Sequence, residues 1–223
     1  MAMLEVLNAS DHRQLRLRDE AGREPHFVQI VAAEFAVAAA HCPILLAKDA
    51  GSGRFYAGAM FGFKPDELPL AEPGDAFRPL DLQRQAFFIS DEDIAIDREH
   101  PRISETDGKP LFDEEGQPSD SLRRIQRALG LLKSGVEETE AFIRALLAHK
   151  LVEPIDISLR FDDGETLSLQ GLYTVSLDAL RDLDDSAALA LFRSGHLQLA
   201  YGMIASLQQI PVLAHRRNRR LSE

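Results

Sequence analysis

The segment SDSLRRIQRALGLLKSGVEETEAFIRALLAHK, which runs from Ser119 to Lys150, decides the class of the fold. Its apolar residues recur at steps of three and four, or at the sum of the two, as they do on one face of an α-helix. The residues of this face are Leu122, Ile125, Leu129, Leu132, Val136, Ile143 and Leu146. An unbroken helix of this length spans about 45 Å, with Gly130 and the pair Ser134 and Gly135 as candidate bends. The pattern predicts a long central amphipathic helix that packs mainly on the chain's own strands.

Patterns typical of strands lie on both sides of this helix. Downstream, apolar and polar residues alternate from Ile155 to Phe161, and the sequence DDGE then supplies a turn before a second such run. Upstream, the runs Ile44–Ala47 and Phe55–Phe63 predict another hairpin, joined by KDAGSGR. A connector rich in proline follows at Lys64–Pro79, and the short runs AFFIS and IAID after it predict two further strands.

Helix signals fill the C-terminal part of the chain. Ser176 and either Asp185 or Ser186 are expected to cap two further helices, the second of which is interrupted at Gly195 and then resumes. Pro211 is expected to end the last helix, so that the basic sequence HRRNRR falls in a tail.

Together these patterns predict an α+β fold. It has a strand-rich N-terminal part with hairpins, a long central amphipathic helix, a further hairpin and C-terminal helices. The chain shows no internal repeat, so we expect a single domain over residues 1–215 and a basic C-terminal tail over residues 216–223.

The composition is that of a globular chain, with 45% hydrophobic and 27% charged residues among 223. The net charge of −11 makes the protein acidic, which disfavours non-specific binding to nucleic acid. Much of the excess lies between Asp91 and Glu115, where ten acidic and three basic residues give a local net charge of −7. We therefore predict no nucleic-acid partner.

The most apolar window, Phe27–Ala47, is about as long as a membrane span. Glu34, His41 and Pro43 interrupt it, which is typical of a short buried helix followed by a strand rather than of a helix in lipid. The N-terminal residues lack the basic flank and apolar core of an export signal, and Cys42, the single cysteine, fits a reducing compartment. We expect a cytoplasmic protein without a membrane span.

The sequence matches no common metal-binding or catalytic pattern. None of the seven histidines has an acidic residue two positions later, as non-haem iron sites need, and the acidic runs lack the glycine of a calcium loop. The glycine-containing stretches lack the spacing of phosphate-binding and dinucleotide-binding loops. We predict no metal and no cofactor, and the sequence leaves any catalytic residues unknown.

Three local groups of residues fit either a catalytic or a purely structural role. Ser194 and His196 flank Gly195 like a nucleophile and its base, yet a glycine here is also typical of a helix C-cap. Glu34 stands among apolar residues, where a carboxyl group suits either an acid–base role or a helix start. Cys42 follows a histidine, but neighbouring side chains on a helix point about 100° apart, which favours a small buried residue.

Five segments of the chain occur in one order: HRQLRLR from His12, VAAEFAVAAAHCPILLA from Val31, PLFDEEGQPSDSL from Pro110, DDGETLSLQGLYTV from Asp162 and RSGHLQLAYGMIASL from Arg193. In this order they resemble the SapC family, named for bacterial surface-layer-associated proteins, and the resemblance runs nearly end to end. Members typically carry a tryptophan-containing stretch before an arginine-rich run. This chain has no tryptophan, and the counterpart of that run is LQRQAFF at Leu82–Phe88.

The resemblance implies a bacterial accessory protein for the uptake or modification of a substrate, because members tend to be encoded near outer-membrane receptors and halogenase-like or cupin-like enzymes. Most members are uncharacterised. We interpret the chain as a non-enzymatic binding or accessory module with an unknown protein or small-molecule partner. One alternative is an enzyme whose site is assembled from dispersed residues near Glu34, and another is a structural protein that self-assembles into a homo-oligomer. A concave pocket with convergent polar groups would favour the enzyme over a pure interaction protein.

The segment LFDEEGQPSDSL, beginning at Leu111, leads into the long helix. Its glycine and proline supply turn geometry, and Ser119 or Asp120 is expected to cap the helix. In this interpretation Leu111 and Phe112 are buried anchors. The alternative keeps Phe112 exposed and makes Leu111, Phe112 and Asp113 a partner-binding segment.

Overall fold

The structure, a computed structural model, describes residues 4–18, 25–65 and 77–222. The chain divides into two units, the first formed by Met1–Glu24 and Leu80–Lys133 and the second by Pro25–Pro79 and Ser134–Glu223. Most of the predicted connector Lys64–Pro79 falls at residues 66–76 and so lies outside the described residues.

The elements follow the α+β pattern predicted from the sequence. The strands are β1 (Leu4–Val6), β2 (Arg16–Leu17), β3 (Phe27–Gln29), β4 (Ile44–Lys48), β5 (Phe55–Met60), β6 (Phe87–Ser90), β7 (Asp93–Asp97), β8 (Ile103–Ser104), β9 (Lys109–Pro110), β10 (Val152–Arg160) and β11 (Thr166–Val175). The helices are α1 (Ala9–His12), α2 (Phe35–Ala38), α3 (Leu80–Gln83), α4 (Asp120–Ala148), α5 (Leu177–Arg181), α6 (Asp185–Arg193), α7 (His196–Ser206) and α8 (Gln209–Leu221), and a 3₁₀ turn spans Ala32–Glu34.

Two small antiparallel sheets, β1-β7-β6 and β8-β2-β9, form the first unit. Arginines on and beside β2 hold the acidic segment that follows β7. Arg16 donates to the carbonyl of Gly108 at 3.2 Å, and Arg18 donates to the carboxylate of Asp107 at 3.2 Å. The high negative charge of this segment is therefore partly balanced inside its own unit.

A five-stranded antiparallel sheet, in the order β10-β11-β4-β5-β3, organises the second unit. Both predicted hairpins, β4 with β5 and β10 with β11, are confirmed. Ala47 pairs with Tyr56 on one side and with Leu172 on the other, while Phe27 pairs with Met60. Directly paired residues of antiparallel strands share a face, so the register gathers these side chains on one face of the sheet.

The apolar window Phe27–Ala47 is divided among β3, the 3₁₀ turn, α2 and β4. This is the short-helix-then-strand arrangement that its interruptions predicted. Among the described residues, none of the helices combines the length and apolarity needed to cross a membrane.

The central helix α4 runs without a break through Gly130 and Gly135. In the first unit its residues Leu122, Ile125 and Leu129 are buried, as predicted. Val136, seven residues after Leu129, lies on the same face of the helix, but its side chain is 42% exposed, so the prediction that it packs on the strands is wrong. Gly135 takes the inward position instead, since the helix passes so close to Val31 that a Cβ at position 135 would lie 2.7 Å from Val31 Cγ2.

Helix caps in the C-terminal part agree with the sequence to within a residue. Ser176 caps α5, as predicted. The cap of α6 is Asp184, whose Oδ1 accepts from the backbone N–H groups of Ser186 and Ala187 at 2.9 Å, so the predicted cap at Asp185 or Ser186 is wrong. Asp184 is the N-cap because its carboxylate accepts from the amides two and three positions further along the chain, as an N-cap side chain does.

The last helix does not end at Pro211, and that prediction is wrong. Pro211 lies in the first turn of α8, where its missing N–H leaves no hydrogen bond unmade, and the helix continues to Leu221. Arg217 in this helix is only 6% exposed: its guanidinium carbon stands 3.8 Å from the centroid of Phe161, and its Nη2 is 2.7 Å from Glu165 Oε2. This part of the basic sequence thus packs on the β10–β11 hairpin.

Candidate ligand-binding cavities

Two cavities in the second unit share the side chains of Phe27 and Tyr56 in their lining. The first has a volume of about 450 Å³ and lies between the β4–β5 turn, β3 and α4. The second has a volume of about 460 Å³ and lies between the β3–β5 edge of the sheet and the middle of β11. Both volumes fall in the range of small-molecule sites in proteins.

The shared wall depends on a glycine in strand β5. The ring of Phe27 lies over Gly58, where a Cβ would come within 2.2 Å of the ring. Phe27 also meets Tyr56 edge to face, with ring centroids 6.1 Å apart and an interplanar angle of 67°. A strand glycine that lets a ring lie against the backbone is a common reason for glycine inside a sheet.

The rim of the first cavity is polar, and its polar groups bind one another. Asp49 Oδ1 accepts from the backbone N–H and the hydroxyl of Ser52, both at 2.7 Å. These hydrogen bonds, led by the one from the hydroxyl, hold the pKa of Asp49 below its ordinary value. Arg54 pairs with Glu140 of α4 at 2.5 Å. The rim charges are thus largely engaged with each other or with the loop that carries them.

The second cavity has a different lining. Its described lining contains no aspartate, glutamate, lysine or arginine side chain. The lining residues are His26, Phe27, Ala47, Tyr56, Met60, Gly62, Phe63, Ser168, Leu169, Gln170, Gly171 and Leu172. Its β11 side follows a register shift opposite Ile155 and Ile157, with Gly171 at φ +77°. Leu167 and Leu169, which precede the bulge, belong to the same apolar cluster as Met60 and Phe63.

Glu34 has a structural role beside the first cavity. Its side-chain Oε2 accepts from the backbone N–H of Val31 at 3.0 Å and closes the 3₁₀ turn. Thr139 of α4 accepts from the N–H of Ala32 at 2.8 Å and donates to the carbonyl of Gly135 at 2.6 Å. Glu34 does not line either cavity. The alternative of an enzyme site near Glu34 therefore has no support from its carboxylate, which already accepts a hydrogen bond from the backbone.

Ser194 and His196 are not arranged as a nucleophile and base. The Ser194 hydroxyl donates to the carbonyl of Leu191 at 3.1 Å, and Gly195, at φ +78°, turns the chain from α6 into α7. His196 packs against Phe142 with ring centroids 5.8 Å apart. Burial lowers the pKa of His196, while the charge of Glu138 opposes this. The helix-end interpretation of Gly195 is confirmed.

Cys42 is buried and its thiol donates to the carbonyl of Ala38 at 3.4 Å, which fits the small buried residue predicted. Across the described ranges, no group of three or more histidine, cysteine, aspartate or glutamate side chains is placed to hold a metal ion.

The segment before α4 is anchored as the burial interpretation predicts. Leu111 is fully buried and Phe112 is 8% exposed, which confirms their burial. Ser119 accepts from the N–H of Leu122 at 3.3 Å and donates to the carbonyl of Pro110, so it is the helix cap. Asp113 is exposed, and binding of a partner by Leu111, Phe112 and Asp113 stays a prediction.

The residues that line the cavities are not among those predicted from the sequence as site residues. Phe27 and Tyr56 stand in strand-like runs, where an aromatic residue ordinarily means core. The signals that were available are Gly58 and Gly171, which interrupt otherwise regular strands and mark a ring lying on the backbone and a bulge. Neither signal reveals an empty volume, because a cavity depends on how separate strands pack.

Comparison with known proteins identifies one protein family and no individual relative. Neither the curated proteins nor the solved structures gave a match to this chain. The family model of SapC matches residues 7–213 of the 223, which confirms the resemblance read from the five segments, and the chain belongs to the SapC family.

Proposed function

We propose that this SapC-family protein is a non-enzymatic binding module that holds a small organic ligand at the Phe27–Tyr56 wall. Its cellular role is then accessory, linked to the uptake or modification of a substrate. The observation that carries the proposal is the pair of cavities, about 450 and 460 Å³, that share one aromatic wall within a single unit. Aromatic lining with a few polar groups is typical of ligand sites.

The hydrogen bonds around the first cavity support binding rather than catalysis. Nucleophilic catalysis needs a hydroxyl or thiol in contact with a base. The Ser52 hydroxyl donates to Asp49 within its own turn, and the Thr139 hydroxyl is used between two backbone groups. The described lining of this cavity contains no histidine. The polar groups therefore shape the rim.

Native mass spectrometry of the protein purified under mild conditions tests the proposal. We expect a small molecule to be retained in a fixed ratio to the chain and to be lost in Tyr56→Ala. Tyr201→Ala is the matched control, because this tyrosine is 48% exposed on α7 and lines neither cavity. Its ligand occupancy should equal that of the unchanged protein.

Two results would count against the proposal. Equal loss of ligand in both tyrosine variants would place the ligand elsewhere. Turnover of the retained molecule by the purified protein would show an enzyme in place of a binding module.

A further inference from the structure

The two cavities differ in the charge of their lining, and this difference bears on the ligand. The first cavity is bordered by Asp49, Arg54 and Glu140, whereas the described lining of the second carries no acidic side chain, lysine or arginine. The described lining holds one histidine, His26, and no other basic and no acidic side chain, so a charged group that enters loses hydration for at most one imidazole partner, which is costly. The second cavity therefore selects against ions.

The apolar part of the second cavity suits a flat, polarisable group. Phe27, Tyr56 and Phe63 supply ring edges and faces, and the thioether of Met60 lies in the same lining. Aromatic rings stack with one another in offset or edge-to-face geometry, and a thioether favours the edge of a ring. The wall already shows this geometry in the edge-to-face contact between Phe27 and Tyr56.

A small number of uncharged polar groups complete the lining. Ser168 and Gln170 stand on β11 on either side of Leu169, next to the bulge at Gly171. Successive side chains of a strand point to opposite faces, so Ser168 and Gln170, which are both exposed, lie on the face opposite Leu169 and reach only the rim of the cavity. At the rim a hydroxyl and an amide can each donate and accept a hydrogen bond with a neutral polar substituent. They match a hydroxyl, ether, carbonyl or amide group on the ligand.

We infer that the second cavity binds an uncharged aromatic compound with one or two neutral polar substituents. This inference rests on the proposed function, since it names the class of ligand for the same wall. It goes further by placing the body of the ligand in the second cavity, beside β11. The charged residues around the first cavity then shape that opening and remain in contact with solvent.

Three probes with one skeleton and different charges test this assignment: 4-phenylbutanol, 4-phenylbutylammonium and 4-phenylbutanoate. Isothermal titration calorimetry with the full chain at pH 7 should show the alcohol binding roughly tenfold or more tightly than either ion, because only the ions lose charge hydration. Comparable affinity for the three probes, or tighter binding of an ion, would overturn the inference while leaving ligand binding at the wall intact. No binding of any probe, together with no retained molecule in native mass spectrometry, would instead refute the proposed function.

A substitution that adds a charge tests where the probes bind. Gln170→Lys places an ammonium group at an exposed position of the cavity lining, so it should weaken the cation further and raise the relative affinity of the anion several-fold. Gln198→Lys adds the same charge at an exposed position of α7 outside the lining and should leave the order of affinities unchanged. An identical effect of the two lysines would place the probes outside this cavity.

Discussion

A close contact between α4 and the 3₁₀ turn tests how the helix packs in the second unit. Gly135→Ala would put a Cβ 2.7 Å from Cγ2 and 2.8 Å from Cβ of Val31, whereas carbon atoms in contact ordinarily stand about 3.5–4.0 Å apart. Val31 is 2% exposed and branched at Cβ, so it has little room to rotate away. The helix or the 3₁₀ turn must shift by most of an ångström.

The size of the effect follows from two opposing contributions. Replacing glycine by alanine inside a helix stabilises it by about 1 kcal/mol. Forcing an extra methyl group into a packed contact costs about 1–3 kcal/mol. Gly130→Ala isolates the first contribution, because a Cβ there meets no described heavy atom within 4 Å. The two variants should therefore differ by about 1–3 kcal/mol, with Gly130→Ala the more stable.

Urea denaturation measures this difference, and hydrogen exchange locates it. The N–H of Ala32 donates to Thr139 Oγ1 at 2.8 Å, one turn beyond Gly135, so its exchange should accelerate in Gly135→Ala and stay slow in Gly130→Ala. Equal stability of the two variants, with equal protection of Ala32, would refute the close seating of the helix on this turn.

Four further tests concern the burial of Phe112, the titration of His196, the metal content and the self-association of the protein. Phe112→Ala should cost about 3–5 kcal/mol in a denaturant titration because the ring is buried, and an unmoved midpoint with loss of a co-purifying partner would favour docking instead. Burial lowers the pKa of His196, so the unfolded chain takes up a proton at a higher pH than the folded one. The free energy of unfolding should therefore fall as the pH drops below about 6.5, and this fall should be smaller in His196→Gln. An equal fall in the variant would show that His196 does not cause it. Elemental analysis after dialysis should find no stoichiometric transition metal or calcium, since no ligand set has workable spacing, and about one metal per chain contradicts this. Light scattering should show association at high concentration if α4 also serves self-assembly, and a monomer at all concentrations rules that use out.

Local periodicity was enough to predict the long helix α4 and both long hairpins. The alternation from Ile155 to Phe161 and the turn after it depend only on neighbours in sequence, and β10 and β11 form as predicted. The predicted packing of α4 failed at Val136 for a non-local reason. The helix approaches Val31 too closely for any side chain, so the inward position falls on Gly135, and apolar spacing alone gives a glycine no weight.

Proline and arginine in the last helix show the same limit. Pro211 ends a helix when it stands in the interior and begins one when it stands in the first turn, and the sequence does not say which turn it occupies. Arg217 was expected in a solvated tail, yet its guanidinium covers Phe161, because the face of an aromatic ring attracts a guanidinium and Glu165 pairs with its charge. The burial of Arg217 depends on contacts with the β10–β11 hairpin that are distant in sequence.

Several residues of the five family segments join elements of the fold. Glu34 closes a turn, Ser119 caps α4, and Ser206 accepts from the N–H of Ile44 at 2.8 Å to hold α7 on β4. Phe27 and Tyr56, which line both cavities, lie outside all five family segments, whereas Ala47 and the stretch from Ser168 to Leu172, which line the second cavity, lie inside two of them. The wall of the second cavity is therefore built partly from family segments and partly from residues outside them. The Tyr56 variant tests the part outside them, and the three probes of different charge test the lining as a whole, so together they show whether the aromatic rings or the β11 stretch decide which ligand binds.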